Sequence, residues 1–243
     1  YICFLDADDW YDRDALRQAV DVFSRHAHTD CVLFDVVQWV DDHHQQRIPL
    51  PQFEVMSGYE AFSESLSWAI HGVYMARRAL YDRYPYDDSC RAYSDDNTTR
   101  LHYYISREVR PCGGFYYYRQ HEASVTHKAG LRHFDYLRAN ESMRRQLIDL
   151  GVGDDVLRRY ENQRWLVLVD CWRFYFIHRQ RMTPQDRRAA RAEMKRVWKT
   201  IDTTTLEPRN KWKLGYMPLR PSWRLFCLQE ELYFTLKRWL RRL

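Results

Sequence analysis

The chain has 243 residues, enough for one large domain or for one domain with an extension. Its composition, 45% hydrophobic and 29% charged, excludes a disordered chain, and no apolar run is long enough to span a bilayer. The net charge of +5 is unevenly spread: residues 1–130 carry 13 Lys and Arg against 20 Asp and Glu, and residues 131–243 carry 25 against 13.

A basic back half points to an anionic partner, membrane lipid or nucleic acid, or else to solvated helix faces. Basic residues do interleave with aromatics, but no recognisable nucleic-acid motif accompanies them. Aromatics reach 16%, a level that suits sugar-binding or interface surfaces as well as large cores. The cysteines at 3, 31, 90, 112, 171 and 227 form no C-x-x-C, so zinc-ribbon spacing is absent. Cys3 and Cys31 lie in apolar runs and read as buried thiols, and the usage as a whole points to a reducing compartment. No secretory leader is visible.

Ile2, Cys3, Phe4 and Leu5 have the length and composition of a fully buried strand of a parallel sheet. Asp6, Asp8, Asp9 and Asp12 follow at once. They fall at the strand's carboxyl end, where open α/β sheets bind ligands. Asp6 and Asp8 can face one site in an extended turn, and close carboxylates are costly unless something positive sits between them. Oxygen-only ligands suit Mg2+ or Mn2+. The competing reading makes these acids a strand end and a helix cap, which accounts for one or two of them.

Residues 14–27 place Leu16, Ala19, Val20, Phe23 and Ala27 at helical spacing. Residues 30–40 are β-branched and aromatic, a strand. Asp41, Asp42, His43 and His44 read as a solvated turn rather than a metal cluster, because adjacent strand side chains face opposite ways. Ser57 and Glu60 have capping-box spacing and open a helix of about two turns. Residues 68–80 read as a strand beginning at Trp68, then a short helix; Trp68 is open to two roles, sugar stacking and core. Asp95 and Asp96 precede a helix carrying Leu101, Tyr104 and Ile105. Residues 109–118 read as strand, bulge or turn at Cys112, Gly113 and Gly114, then strand.

From about Leu131 the pattern turns helical. Helices are predicted over 131–150 and 156–181, with a break at Gly151 and Gly153 and a cap at Asp154 or Asp155. Thr183 with Pro184 opens a basic helix to about Ile201. Pro208, Pro218 and Pro221 mark a loop. Residues 222–243 align Leu225, Leu228, Leu232, Leu236, Trp239 or Leu240, and Leu243 on one face, with Lys237, Arg238, Arg241 and Arg242 at the end. Those cations suit a helix dipole and also an anionic bilayer surface.

Four segments carry a family resemblance. Phe4-Leu5-Asp6-Ala7-Asp8-Asp9-Trp10 resembles the D-x-D-D segment of glycosyltransferase family 2, nucleotide-sugar-dependent enzymes of the GT-A fold. The phosphatases of the haloacid-dehalogenase type also use D-x-D, but they want Thr or Val where this chain has Trp10. Trp68 to Leu80 resembles the family's stretch leading to the acceptor side. Tyr93-Ser94-Asp95-Asp96-Asn97 resembles its E-D, with Asp95 in place of the usual Glu and Asn97 in place of a common aromatic. Tyr116-Tyr117-Tyr118-Arg119-Gln120-His121, with Ser124-Val125-Thr126-His127, resembles the aromatic-Tyr-Arg…Ser-x-Thr end of the catalytic domain.

The resemblance implies an α/β, GT-A-like mixed sheet with flanking helices over residues 1–130, lacking the N-terminal nucleotide-binding half, then a helical basic extension over 131–243. It implies an inverting glycosyltransferase that moves a sugar from a nucleotide-diphosphate sugar to a saccharide or lipid-linked acceptor hydroxyl in bacterial surface polysaccharide assembly. Asp96 and Asp95 would be catalytic, with Asp96 the general base. Asp6, Asp9, Arg119 and Ser124 would bind the nucleotide sugar, and Trp68 the acceptor. Asp8, Asp6 and His127 would hold Mn2+ or Mg2+, His121 being an alternative nitrogen donor. The expected location is the cytoplasm, on the inner face of the membrane, with peripheral contact through 222–243 and no nucleic-acid partner. The fragment alone is expected to be a poor catalyst. The alternative is a non-catalytic membrane-surface or partner-binding protein with a basic helical tail.

Overall fold

The computed structural model of the chain describes residues 1–90, 92–120, 130–219 and 222–240. It comprises two units: Tyr1–Asp88 with Asp95–Lys128, and Ser89–Ser94 with Ala129–Leu243.

The first unit contains β1 (Ile2–Cys3), β2 (Trp10–Tyr11), α1 (Ala15–Arg25), β3 (Thr29–Asp41), β4 (His44–Arg47), β5 (Met56–Ser57), α2 (Gly58–Leu66), β6 (Tyr74–Ala76), α3 (Arg78–Arg83), α4 (Asp95–Ile105) and β7 (Glu108–Arg119). Among the described residues the strands form one mixed sheet in the order β1-β6-β3-β7-β2, with β4 added to β3 and β5 to β7. The β3–β7 pair is parallel; the other pairs are antiparallel.

β3 is central because both of its faces are apolar. Val32, Phe34 and Val36 pack with Ala15, Ala19 and Phe23 of α1, while Cys31 and Leu33 pack on the other face with Ala61 of α2 and Tyr103 of α4. A period of two puts alternate residues on opposite faces, so residues 31–37 read as apolar on both faces save Asp35, which is buried on the Arg47 guanidinium at 2.7 Å. The β3–β7 register slips between Leu33, opposite Pro111, and Asp35, opposite Phe115. The extra β7 residues surround Gly113 and Gly114, where the bulge was expected. A Cβ at Gly114 would come 2.6 Å from the Ala15 Cα, so glycine lets α1 lie close on the sheet.

Two expectations fail here. Only Ile2 and Cys3 form strand, half-buried and antiparallel to β6, and Phe4 and Leu5 are exposed. Phe4 and Leu5 lie past the end of β1, in the loop that leads to β2. Trp68 begins no strand; it lies in a turn after α2, and the strand starts at Tyr74. Local signals fare better. Ser57 and Glu60 make a full capping box at the start of α2. His44 caps a surface hairpin, its ring on the Asp41 carboxylate at 2.8 Å, so the Asp41–His44 cluster is a solvated turn.

The second unit is helical: a 3-10 turn at Leu131–Phe134, then α5 (Asp135–Asp149), α6 (Asp154–His178), α7 (Pro184–Trp198), α8 (Pro208–Trp212) and α9 (Trp223–Trp239). Gly151, at φ +70°, ends α5 in the left-handed conformation that favours glycine. Gly153 takes the cap position of α6, so Asp154 and Asp155 sit in its first turn and meet the positive end of the dipole. Thr183 caps α7 as expected, accepting from the Asp186 N–H at 3.1 Å. Pro208 opens α8 rather than marking a loop. Trp165 and Trp172 of α6 are wholly buried and meet Phe226 of α9 at ring distances of 5.5 and 5.9 Å. All six cysteines are free thiols; Cys31 is fully buried and Cys3 half-buried. Among the described residues, no helix is long and apolar enough to cross a membrane.

Candidate active site

The loop between β1 and β2 is held by two of its own carboxylates. Asp9 is buried and accepts from the Tyr116 hydroxyl at 2.5 Å and the Arg119 N–H at 2.8 Å. Asp12 accepts from the Phe115 N–H and the Asp14 N–H, both at 2.9 Å, and its own N–H donates to the Phe115 carbonyl. The Tyr11 hydroxyl closes the loop on the Phe4 carbonyl at 2.8 Å. Hydrogen bonds to ionised acceptors are the stronger kind, so Asp9 and Asp12 stitch the loop to β7.

Asp6 and Asp8 are left exposed on this clamped loop. The Asp6 carboxyl is pushed above its ordinary value, first by partial burial and then by the charges of Asp9, Asp8 and Asp95. Asp6 and Asp95 belong to segments far apart in sequence, yet they share one field.

Asp95 and Asp96 occupy the first turn of α4, where the helix dipole favours acids. Asp96 is mostly buried, and its Oδ2 has no hydrogen-bond partner. Its pKa is raised to about 7 by burial, with Arg100 opposing the shift and Asp95 adding to it. Arg100, one turn on along α4, is buried. Its guanidinium carbon lies 5.6 Å from the centroid of the Trp68 ring. Trp68 is itself exposed and has φ +60°, a backbone region that bulky residues avoid.

A short loop completes the surroundings. The Asp87 N–H donates to Thr98 Oγ1 at 2.8 Å, and Asn97 Nδ2 donates to Asp87 Oδ2 at 2.6 Å, tying the loop to α4. Tyr86 in this loop has its hydroxyl pushed up to about 12 by burial and by Asp95, Asp6 and Asp96. Its ring lies 5.3 Å from that of Phe4. Tyr86 thus links the acids of the β1–β2 loop with those of α4.

Of the residues singled out from sequence, Asp6, Asp95 and Asp96 come into one electrostatic cluster, and Asp8 sits on the same loop as Asp6. Trp68 reaches it through Arg100, and its exposure excludes the core role. Asp9 joins it as a structural acceptor. Arg119 takes a different position: its guanidinium stacks on Trp10 at 5.2 Å and Trp39 at 5.1 Å, while its backbone N–H serves Asp9. Ser124, His121 and His127 lie outside the described residues. The sequence assigns no role to Tyr86 or Arg100, and it marks Tyr116 only as part of the aromatic-Tyr-Arg segment. Spacing alone points to Arg100, four residues after Asp96 on a helix. Nothing local marks Tyr86 or the Tyr116–Asp9 bond.

Among the described residues, no group of three or more His, Cys, Asp or Glu side chains is placed to hold a metal ion. Asp6 and Asp8 are two exposed carboxylates among further acids, a donor set suited to a hard cation that keeps waters and phosphate oxygens as its other ligands.

No known protein family and no curated protein matches the chain by sequence. By structure it is similar to residues 1–349 of S. aureus TarS, crystallised in complex with UDP-GlcNAc, with a TM-score of 0.65 at 10% identity, over 99% of this chain and 68% of that one. At that identity the likeness is one of fold: an α/β mixed sheet with flanking helices, continuing into a helical region.

Proposed function

We propose that the chain is part of an inverting glycosyltransferase that uses a nucleotide-diphosphate sugar, with Asp96 as the general base. The observation that carries the reading is the Asp96 carboxyl: buried, one oxygen unpartnered, raised to about 7, and set in one field with Asp95 and Asp6. A base tuned near neutral pH is suited to taking a proton from a sugar hydroxyl. The fold it shares with a structure holding UDP-GlcNAc supports a nucleotide-sugar donor.

In this reading the acceptor hydroxyl gives its proton to Asp96 as its oxygen attacks the anomeric carbon. The bond from that carbon to the diphosphate breaks, and the nucleoside diphosphate leaves with the electron pair. Direct displacement inverts the anomeric centre. Asp6 and Asp8 would hold a Mg2+ or Mn2+ ion, which would offset charge on the departing diphosphate. Asp9 shapes their loop, Asp95 sustains the raised pKa of Asp96, and the exposed ring of Trp68 offers the acceptor a stacking face. The acceptor class in this reading is a saccharide, free or lipid-linked, of the kind built into bacterial surface polysaccharides.

The test is Asp96→Asn in the full-length protein, followed by nucleoside diphosphate release from UDP-GlcNAc and other nucleotide sugars. Loss of turnover by about 10²–10⁴-fold with an unchanged circular dichroism spectrum is expected for a missing general base. Undiminished turnover would remove Asp96 from the role.

A further inference from the structure

α9 is apolar on two sides. One side carries Phe226 and Phe234 into the core of the second unit. The other carries Leu225, Leu228, Leu232, Leu236, Trp239 and Leu240, which recur at helical spacing along a single stripe. Their exposure runs from 42% at Leu236 to 81% at Trp239. Single exposed leucines are ordinary on a protein surface, whereas a contiguous stripe marks a contact surface.

A second apolar element lies beside it. Trp212 is 80% exposed, and Leu214 follows on the same turn. Gly215 sets this turn against α9: its φ is +79°, and a Cβ there would fall 2.2 Å from the Tyr233 ring. Cations edge the surface. The Lys213 ammonium sits 4.0 Å above the Tyr216 ring and the Lys237 ammonium 5.1 Å from the Tyr233 ring, while Arg224 is exposed at the start of the helix.

We propose that the exposed face of α9, together with the turn at 212–214, docks on the surface of an anionic lipid bilayer. Charge selects this occupant. The cations that edge this face, Lys213, Arg224 and Lys237, would meet their own kind on a second copy of the chain, whereas anionic headgroups complement them. Among the described residues, the two most exposed large apolar side chains are both tryptophan, the residue that settles at headgroup depth. α9 is not apolar enough to cross, so it lies in the plane of the interface with its leucines turned into the acyl boundary. This surface is independent of the Asp96 site and stands whether or not the chain transfers sugars.

The test is sedimentation of the full chain with vesicles of phosphatidylglycerol and phosphatidylcholine, beside vesicles of phosphatidylcholine alone. Binding to the anionic vesicles is expected, weakening as salt is added and accompanied by a blue shift of tryptophan fluorescence. Leu228→Asp with Leu232→Asp is expected to lower binding at least tenfold, and Lys213→Glu is expected to lower it on anionic vesicles only. All three positions are exposed, so folding, checked by circular dichroism, is retained. The proposal is overturned by absence of anionic-vesicle binding, by binding indifferent to both sets of substitutions, or by a stable dimer that the leucine substitutions dissociate without any vesicle binding.

Discussion

Trp68 lies over the guanidinium of Arg100 at 5.6 Å, and it does so from a left-handed backbone at φ +60°. That conformation costs an L-residue about 1–2 kcal/mol. The cation–π contact returns about 0.5–2 kcal/mol. The two nearly cancel, so the exposed indole is held for something other than stability. Trp68→Gly is expected to leave the melting temperature within a few degrees of the parent. In steady-state assays it is expected to raise the acceptor KM about three- to tenfold, the value of one aromatic stacking contact, with the donor KM unchanged. An acceptor KM that does not move would take Trp68 out of the site.

The raised Asp96 pKa has two consequences of opposite sign. As a base it works deprotonated, so kcat/KM should climb with pH through about 7 and level off above it. Arg100→Gln should move that midpoint up and Asp95→Asn should move it down, since they remove a cation and a like charge respectively. For stability, the folded value lies above the ordinary 3.8, so the contribution is complete below that pH and lost as pH rises through about 7. Asp96→Asn is therefore expected to be inactive yet more stable than the parent, by roughly 1–3 kcal/mol at neutral to alkaline pH. Urea denaturation on either side of the midpoint measures this; a variant weaker than the parent at both pH values contradicts it.

Asp9 answers both the Tyr116 hydroxyl and the Arg119 N–H. Asp9→Ala leaves both donors without their acceptor and should cost about 2–4 kcal/mol, while Tyr116→Phe should cost about 1–2 kcal/mol. The double variant should lose less than the sum, because the two substitutions share one bond. Strict additivity in a double-mutant cycle would mean that the bond contributes nothing.

In the second unit, Glu230 is buried and raised to about 8, with Gln229 Nε2 donating to its Oε1 at 3.1 Å and its Oε2 unpartnered. Its neutral form is the one the core accepts, so its contribution is present below the ordinary 4.5 and lost as pH rises through about 8. Glu230→Gln should flatten the fall in melting temperature that runs from about pH 4.5 to about pH 8. An unaltered fall across that window would place the loss at another group.

What the sequence discloses depends on how local the cause is. The capping box at Ser57 and Glu60 and the Thr183 cap are made within four residues, and they stand where spacing put them. β3 was legible because burial on both faces leaves a run over 31–37 that is apolar but for Asp35. The same logic misleads at Phe4 and Leu5, whose composition says interior while the strand ends before them and leaves them outside in a loop. The leucines of α9 were legible as a face but not as an outward one, because Phe226 and Phe234 fit a second apolar face of the same helix. The acids of the β1–β2 loop were visible as a group. Their division of labour was not, since the partners that engage Asp9 and Asp12 lie in β7.

Those partners are more than a hundred positions downstream of the carboxylates they hold. During synthesis, at about 5–20 residues per second, the opening loop must wait several seconds for β7 to emerge. Until then Asp9 lacks both of its partners and Asp12 keeps only the Asp14 N–H. A lesion in β7 would therefore be felt more than a hundred positions earlier, as a loop without a shape.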